Sequence, residues 1–353
     1  MRGGPLPAPT DRDTIRFVTD TLDAFDETFS RGIDTTVTDA TLADHHLRLR
    51  YVAPRLADRF SPTLAHLDSG HPEEPKDHTP DLDICCWDRS VTEVRAPAPP
   101  WTLDDHLRDG RIRGLTDGRI RATFDPTSRV LCLYDNERGA AVVHAASAEL
   151  VPSWMDRAPF RTVLTWWAAD QGLALLHASA VATPTGAVAL AGTSGAGKST
   201  TAVRCLMAGL DLLGDDACLV RCAPEPVVHS VYRFAKVDTP LVEPLAPPLS
   251  RALPWITDEC VIDPGPRHRS QAPLRAILLP QITGGADSRL VPITRTEALR
   301  ILGPTTLVEG GAPSGGALRA IIDLVGRVPA YRLELGTDPA RVVDTVASAT
   351  MDR

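Results

Sequence analysis

One stretch of eight residues limits what this chain can fold into more than any other. It fits the pattern G-x-x-x-x-G-K-[ST] and consists of Gly192, Thr193, Ser194, Gly195, Ala196, Gly197, Lys198 and Ser199. A strand-like run at 187–191 precedes it, and a helix-like run from Thr200 follows. In that context the glycines let backbone N–H groups surround phosphate oxygens, and the helix start adds the positive end of its dipole. The residues from Gly192 to Thr200 are therefore predicted to form a P-loop that binds a nucleoside triphosphate.

The last two residues of the motif have separate predicted roles. The Lys198 ammonium is expected to reach the β- and γ-phosphates, and the Ser199 hydroxyl to ligate Mg²⁺. The alternative is a glycine-rich turn that binds nothing. The strand, the helix, the lysine and the serine are all in place, which favours the nucleotide site.

Two adjacent carboxylates, Asp215 and Asp216, follow Lys198 by 17 and 18 positions (215 − 198 and 216 − 198). They come directly after a short apolar run at 210–213 and Gly214. Neighbouring carboxylates repel each other unless a cation or a proton offsets their charge. A Mg²⁺ ion held with the nucleotide would supply that charge. A solvated acidic turn is the alternative, and the P-loop one helix away favours the metal site.

A single histidine, His177, lies in an apolar run at 173–181 that is predicted to be one strand. It precedes Gly192 by 15 positions (192 − 177). Such a histidine is either a hydrogen-bonded core residue or a site residue that its strand brings to the same end of the sheet as the loop. The residues alone leave both readings open.

The order of these three features resembles the HPr kinase/phosphorylase superfamily. Its members carry a histidine, a P-loop and a double-aspartate block, which here are Leu176-His177-Ala178-Ser179, Gly192 to Thr200, and Gly214-Asp215-Asp216. The resemblance covers roughly residues 160–350. It implies an α/β P-loop domain whose core is similar to that of HPr kinase and phosphoenolpyruvate carboxykinase.

The resemblance also implies roles for the individual residues. Asp215 would be the base that takes the proton from the acceptor hydroxyl, and Asp216 would join Ser199 in holding Mg²⁺. His177 would lie near the γ-phosphate and complete a catalytic set with Asp215 and Lys198. The implied activity is that of an ATP- and Mg²⁺-dependent kinase. Because HPr kinases are oligomers, the resemblance implies a homo-oligomer as well.

Two departures from the family bear on the substrate. The glycine-rich second signature that HPr-modifying enzymes carry after the acidic block is missing, and the first 150 residues do not resemble theirs. The acceptor is therefore expected to be a hydroxyl group of a small, amino-acid-like molecule or of a serine in a peptide or protein. Two alternatives stay open: a phosphorylase that runs the reverse reaction, and a nucleotide-binding regulatory module without turnover.

Several basic residues are candidates for contacts to the acceptor. They are Arg233, Lys236 and the cluster Arg267-His268-Arg269. Each could bind a carboxylate or a phosphate. Each could equally lie in a solvated loop, and for the cluster the loop is the favoured interpretation.

The chain of 353 residues is predicted to contain two domains: a mainly β (α+β) domain at 1–150 and the kinase domain at 151–353. In the first domain, strand-like runs at 119–124, 130–134 and 140–143 alternate with turn residues, which predicts an antiparallel meander. In the second, the stretches 240–254 and 303–316 are rich in proline or glycine and are predicted to be loops.

Composition excludes some partners. The formal charge of −8 and the lack of a basic stripe argue against a nucleic-acid partner. No run of 18 apolar residues or leader-like start is present, so neither a membrane span nor export is expected, and the predicted location is cytoplasmic. The seven cysteines lack the paired spacing of a zinc site and are predicted to be buried thiols.

Overall fold

The computed structural model describes residues 11–32, 34–68, 79–92, 94–238, 250–251, 259–307 and 315–351. The chain divides into two compact units. The first comprises Met1–Phe60 with Asp68–Pro152, and the second comprises Ser61–Leu67 with Ser153–Arg353. Both contain helices and sheet, so the protein is of the mixed α/β class. No described helix has the length and apolar character needed to cross a membrane.

The first unit is built on a six-stranded sheet. Its strands are β1 (Thr35–Leu42), β2 (His45–Val52), β3 (Leu82–Asp88), β4 (Ile120–Asp125), β5 (Val130–Asp135) and β6 (Ala140–Ala145). They lie in the order β1-β2-β3-β6-β5-β4. β3 is parallel to both of its neighbours, and the other pairs are antiparallel. The predicted meander is confirmed as β4, β5 and β6.

Two longer helices belong to this part of the chain, α1 (Asp11–Ser30) and α2 (Pro54–Leu64). One side of α1 buries Phe17, Val18 and Phe25, and these pack with Trp87 of β3 in one hydrophobic core. The spacing of these helix residues places them on a single face, which is why the helix covers the sheet. Short 3₁₀ turns lie in the first unit at Arg89–Val91, Leu103–Asp105 and Ala148–Leu150, and in the second unit at Ala65–Leu67 and Gly265–Arg267.

The second unit contains a nine-stranded sheet and a three-stranded sheet. The strands of the large sheet are β7 (Ala174–Leu176), β8 (Ala178–Thr183), β9 (Gly186–Ala191), β10 (Asp211–Gly214), β11 (Cys218–Arg221), β12 (Val227–Ser230), β16 (Gln271–Ile282), β17 (Arg289–Pro292) and β18 (Ala330–Leu335). The small sheet consists of β13 (Ala235–Asp238), β14 (Ser250–Arg251) and β15 (Glu259–Ile262). β16 is parallel to β9 and to β18, and the remaining pairs are antiparallel.

Helices cover both faces of the large sheet. They are α3 (Ser153–Arg157), α4 (Arg161–Asp170), α5 (Lys198–Met207), α6 (Arg295–Leu307), α7 (Gly315–Arg327) and α8 (Pro339–Ser348). Along β9, Ala187, Ala189 and Ala191 pack into the core shared with α6 and α7. Val188 and Leu190 pack into the core shared with α5 and α8. Because both faces are covered, the strand is apolar throughout rather than alternating, as the sequence shows.

The structure corrects three of the predicted elements. The run at 173–181 is two strands, because the chain leaves β7 and enters β8 at His177. The stretch 303–316 is not a loop throughout: α6 continues to Leu307 and α7 begins at Gly315, while 308–314 lies outside the described residues. In the stretch 240–254, residues 250–251 form a strand, and the others lie outside the described residues.

Candidate functional site

The glycine-rich loop joins β9, an interior strand of the large sheet, to helix α5. The helix begins at Lys198, two residues before its predicted start. Gly195 and Gly197 have left-handed backbones, with φ of +76° and +98°. A Cβ on Gly197 would lie 3.1 Å from Leu335 Cδ1, whereas a Cβ on Gly195 would meet nothing within 4 Å. The loop therefore packs closely on one side and is open on the other.

The Lys198 side chain folds back along this loop. Its Nζ donates hydrogen bonds to the carbonyl oxygens of Gly192, at 2.8 Å, and Thr193, at 3.2 Å. The residue is only 8% exposed. The ammonium therefore lies beneath the backbone of the loop, where a bound polyphosphate would meet it.

Asp215 lies just after β10 and is almost completely buried, at 1% exposure. One carboxylate oxygen accepts hydrogen bonds from the hydroxyls of Ser199, at 2.9 Å, and Ser179. The other accepts from the backbone N–H of Lys236 at 3.1 Å. Burial, together with the negative charge of Asp216, raises the pKa of Asp215 above its ordinary value despite these bonds.

Asp216 occupies a different environment from its neighbour. Its backbone is left-handed, with φ of +66°, and its carboxylate forms an ion pair with the ammonium of Lys236, which is itself buried. Burial alone would raise the pKa of Asp216, but the attraction of Lys236 and Arg161 outweighs it and holds the pKa well below its usual range. Asp216 is therefore ionised at neutral pH.

His177 lies at the break between β7 and β8. Its Nδ1 is 2.9 Å from the backbone oxygen of Asp216 and 2.9 Å from Nη2 of Arg161. Burial and the positive charges of Arg161 and Lys198 lower the pKa of His177. The imidazole is consequently neutral at pH 7, and it connects the acidic pair to the start of α4.

These side chains surround a single cleft with a volume of about 760 Å³. The residues of the loop and helix start that line it are Ser194, Gly195, Gly197, Lys198, Ser199 and Thr200. The other predicted site residues that line it are His177, Asp215, Asp216 and Lys236. Gly192, Thr193 and Ala196 instead line a smaller cavity of about 190 Å³. Ten of the predicted site and acceptor residues therefore share one cleft (6 + 4).

The remaining basic candidates lie elsewhere. Arg233 forms an ion pair with Asp263, and Arg269 donates to the backbone oxygen of Thr183. His268 Nε2 is 2.9 Å from the hydroxyl of Ser230. The cleft is not lined by any of the four basic candidates Arg233, Arg267, His268 and Arg269. The favoured interpretation of the cluster as a solvated loop fits the exposed Arg267, whereas His268 and Arg269 are half-buried.

Two contributors to the site were not singled out from the sequence, Ser179 and Arg161. Ser179 follows His177 by two positions among apolar residues, so the alternation of a strand would have placed both on one face. Arg161 is the first residue of α4, and no such signal in the sequence marks it. Arg157 and Arg204 also line the cleft and were likewise missed.

Comparisons with known proteins add little beyond the fold class. No family model matches the chain, and no curated protein matches it. Among solved structures, the Hpr(Ser) kinase/phosphatase from Coxiella burnetii is similar to part of the chain, at 11% identity and a TM-score of 0.29. The match covers 49% of this chain and 88% of that one. A similarity with so low an identity and TM-score supports no conclusion about this chain.

Proposed function

We propose that the second unit is an ATP- and Mg²⁺-dependent kinase that transfers the γ-phosphate to a hydroxyl group. The acceptor would be a small, amino-acid-like molecule or a serine of a peptide or protein. One observation carries the proposal: the Ser199 hydroxyl at the end of the glycine-rich loop is 2.9 Å from the carboxylate of Asp215. This contact brings the motif and the acidic pair, which α5 and β10 separate in the sequence, to one point in the cleft.

The loop has the features that a triphosphate requires. It is open at Gly195, the buried ammonium of Lys198 lies beneath it, and the N-terminus of α5 begins where it ends. Backbone N–H groups at a helix start and a lysine below them attract phosphate oxygens. The cleft volume of about 760 Å³ is within the range of small-molecule sites and leaves room beside a nucleotide.

The residues present also fit a magnesium ion. The buried Asp215 carries a raised pKa, which is the mark of a carboxylate that lacks a compensating charge. Mg²⁺ is commonly held by one or two protein oxygens together with phosphate oxygens and water, so Ser199 and the two aspartates would suffice. When bound, the ion would neutralise charge on the transferring phosphate. No group of three or more metal-binding side chains occurs among the described residues, so a nucleotide would have to complete the coordination.

The contrast between the two aspartates supports separate roles. A raised pKa makes Asp215 a stronger base than an ordinary carboxylate, which suits removal of a proton from the acceptor hydroxyl. Asp216 stays ionised, which suits a partner for a cation. Ser199 nevertheless donates its hydroxyl hydrogen bond to Asp215 rather than to Asp216. Asp215→Asn should mainly lower kcat, and Asp216→Asn should mainly raise the Mg²⁺ concentration needed for half-maximal rate.

The neutral His177 and the cations around it fit the acceptor side. Arg157, Arg161 and Arg204 line the cleft in addition to the two lysines. A guanidinium binds a carboxylate or phosphate through two parallel hydrogen bonds. An acceptor that carries a carboxylate near its hydroxyl group, as an amino acid does, would therefore be held electrostatically beside the aspartates.

The chain offers an unusually clean test of nucleotide binding. It contains three lysines, and two of them, Lys198 and Lys236, line the cleft. An ATP derivative with an acyl phosphate, which acylates a lysine amine near the phosphates, should modify Lys198 in the full-length protein. Unmodified Mg·ATP should block that reaction while leaving any labelling of Lys76 unchanged, as mapped by mass spectrometry. Equal labelling of Lys198 and Lys76, without protection by ATP, would contradict the proposal.

Activity needs a second experiment. γ-Labelled ATP with Mg²⁺ is incubated with amino-acid-like alcohols and serine peptides, using wild type and Lys198→Met. Label transfer to an acceptor by the wild type only supports the kinase. Protection of Lys198 without any transfer indicates the non-catalytic module. Release of pyrophosphate when a phosphorylated product is supplied with inorganic phosphate indicates the phosphorylase.

A further inference from the structure

The first unit contains a cavity of its own, with a volume of about 530 Å³. Its floor is a row of three side chains from adjacent strands: Phe124 of β4, Leu131 of β5 and His144 of β6. The strand register pairs Phe124 with Leu131 and Leu131 with His144, so the three stand side by side on one face of the sheet. The floor is therefore built by regular sheet structure.

The wall of this cavity is aromatic and rigid. Trp101 packs edge-on against Phe17 of α1, with ring centroids 5.0 Å apart, and is only 7% exposed. The connector at 96–100, rich in proline, supplies Pro97 and Pro99 to the lining. Proline restricts its own backbone, so little conformational freedom would be lost when a ligand binds.

Three arginines stand around the apolar lining: Arg89, Arg95 and Arg129. All three are exposed. None of them forms an ion pair with another residue in the part of the chain that the structure describes. The described residues that line the cavity include no aspartate or glutamate. In a chain with a net charge of −8, the three arginines are a local concentration of positive charge among the described residues.

His144 adds one polar group to the floor. Its Nε2 is buried and has no hydrogen-bond partner among the described residues. Burial and the positive charge of Arg89 lower the pKa of His144 to about 4, so the imidazole is neutral at pH 7. A buried polar atom without a partner is unfavourable, and a ligand with a hydrogen-bonding group at this point would satisfy it.

We infer that this cavity is a binding site for an amphipathic organic anion. Its aromatic or aliphatic body would lie on the row formed by Phe124, Leu131 and His144. Its anionic group would lie among the guanidinium groups of Arg89, Arg95 and Arg129. The cavity volume is in the range of sites for small molecules. This inference concerns the first unit alone and does not depend on the proposed kinase activity.

Two fluorescent probes with nearly the same apolar body test it. One is 8-anilinonaphthalene-1-sulfonate, which is anionic, and the other is N-phenyl-1-naphthylamine, which is neutral. Each is titrated into the full-length protein and into the double variant Arg89→Gln/Arg95→Gln. We expect saturable binding of the sulfonate to wild type and a dissociation constant roughly tenfold higher or more in the variant, because charged hydrogen bonds are lost. The neutral probe should bind both proteins equally.

The matched control is Arg12→Gln/Arg108→Gln, which removes two exposed arginines of the same unit that do not line the cavity. It should leave the binding of the sulfonate unchanged. An equal loss in both double variants would reduce the effect to general electrostatics and overturn the inference. Absence of saturable binding, or displacement of the sulfonate by Mg·ATP, would overturn it as well. Thermal unfolding of each variant confirms that the fold is intact.

Discussion

Replacing Asp215 by asparagine should remove most of the phosphoryl transfer activity while making the unliganded protein more stable. The carboxylate is 1% exposed and accepts from Ser179, Ser199 and the backbone N–H of Lys236. An asparagine has nearly the same shape. Its amide oxygen can accept from Lys236, and its amide nitrogen can donate to the serine hydroxyls, so the packing and the hydrogen bonds are kept.

The two effects have different sizes. Loss of a general base lowers kcat by about 10²–10⁴-fold, which corresponds to roughly 3–5 kcal/mol of activation free energy. The stability of the variant should increase, because the wild type must bury an ionised carboxylate beside Asp216. That burial costs several kcal/mol of folding free energy before the hydrogen bonds of the carboxylate are counted. Allowing for imperfect replacement of those bonds, we expect a gain on the order of 1–2 kcal/mol at pH 8. For a domain of 150–250 residues, each kcal/mol raises Tm by about 2–4 °C.

The pH dependence of the stability difference distinguishes removal of the buried charge from a change in packing. The pKa of Asp215 is raised in the folded state, so its contribution to stability is present below the unfolded value and lost as pH rises through the folded value. The advantage of the Asp215→Asn variant should therefore be largest at pH 8 and shrink towards pH 4. Calorimetry at several pH values measures it, with Asp211→Asn at the first residue of β10 as the control. A variant that is less stable by the same amount at every pH would refute the reasoning.

Three further predictions concern single residues. Ser199→Ala should raise the Mg²⁺ concentration for half-maximal rate by about tenfold or more in a steady-state assay, and an unchanged Mg²⁺ dependence would exclude the hydroxyl as a ligand. Lys236→Arg should lower kcat although the charge is kept, because the larger guanidinium cannot occupy the same buried position beside Asp216, and full activity would contradict this. Burial lowers the pKa of His66 to about 3 and of His268 to about 4, so the free energy of unfolding should fall as the pH drops from 6.5 towards 4, by at most about 1.4 kcal/mol per pH unit for each histidine. His268→Gln should flatten that slope in urea titrations, and an unaltered slope would show that other groups set it.

The elements around the glycine-rich loop could be predicted because local sequence determines them. The motif requires a strand before it and a helix after it, and the apolar run at 187–191 and the helical spacing from Thr200 agree with that requirement. The last helix, α8, follows Asp338, whose side chain caps it by accepting from the backbone N–H of Ala340. Where a cap or a motif fixes an element, its position follows from a few residues.

The missed features depend on contacts that are distant in the sequence. The run at 173–181 has the pattern of one strand, with His177 and Ser179 among apolar residues, yet β7 pairs with β11 and β8 pairs with β9 and β10, so the chain must break between them. Helix α6 continues through Gly303 and Pro304 because Leu302 and Thr305 are buried against the core. That tertiary packing outweighs the low helix propensity of the two residues. Neither the break between β7 and β8 nor the continuation of α6 can be predicted from a short stretch of sequence.

The same distinction holds within the site. The sequence predicted that both aspartates lie near the loop, and the family resemblance implied that Ser199 and Asp216 share a Mg²⁺ ion. In the structure the Ser199 hydroxyl donates to Asp215. The two adjacent carboxylates have different partners, because Asp215 accepts from Ser199 whereas Asp216, whose backbone is left-handed, pairs with Lys236. A pair of adjacent aspartates in a sequence therefore indicates where a site lies more readily than it shows which aspartate has which role.

The rarity of lysine gives a second, independent indication of where the chemistry lies. Of the 37 lysine and arginine residues, only three are lysines, and all the others are arginines. Lys198 and Lys236 are 8% and 7% exposed, and both line the same cleft. An ammonium is a compact charge that fits beneath a loop or beside a buried carboxylate, whereas a guanidinium is planar, larger and more weakly hydrated. A composition that otherwise favours arginine has lysine at these two buried positions, and exchange of Lys236 for arginine therefore tests the size of the cation beside Asp216 while its charge is kept.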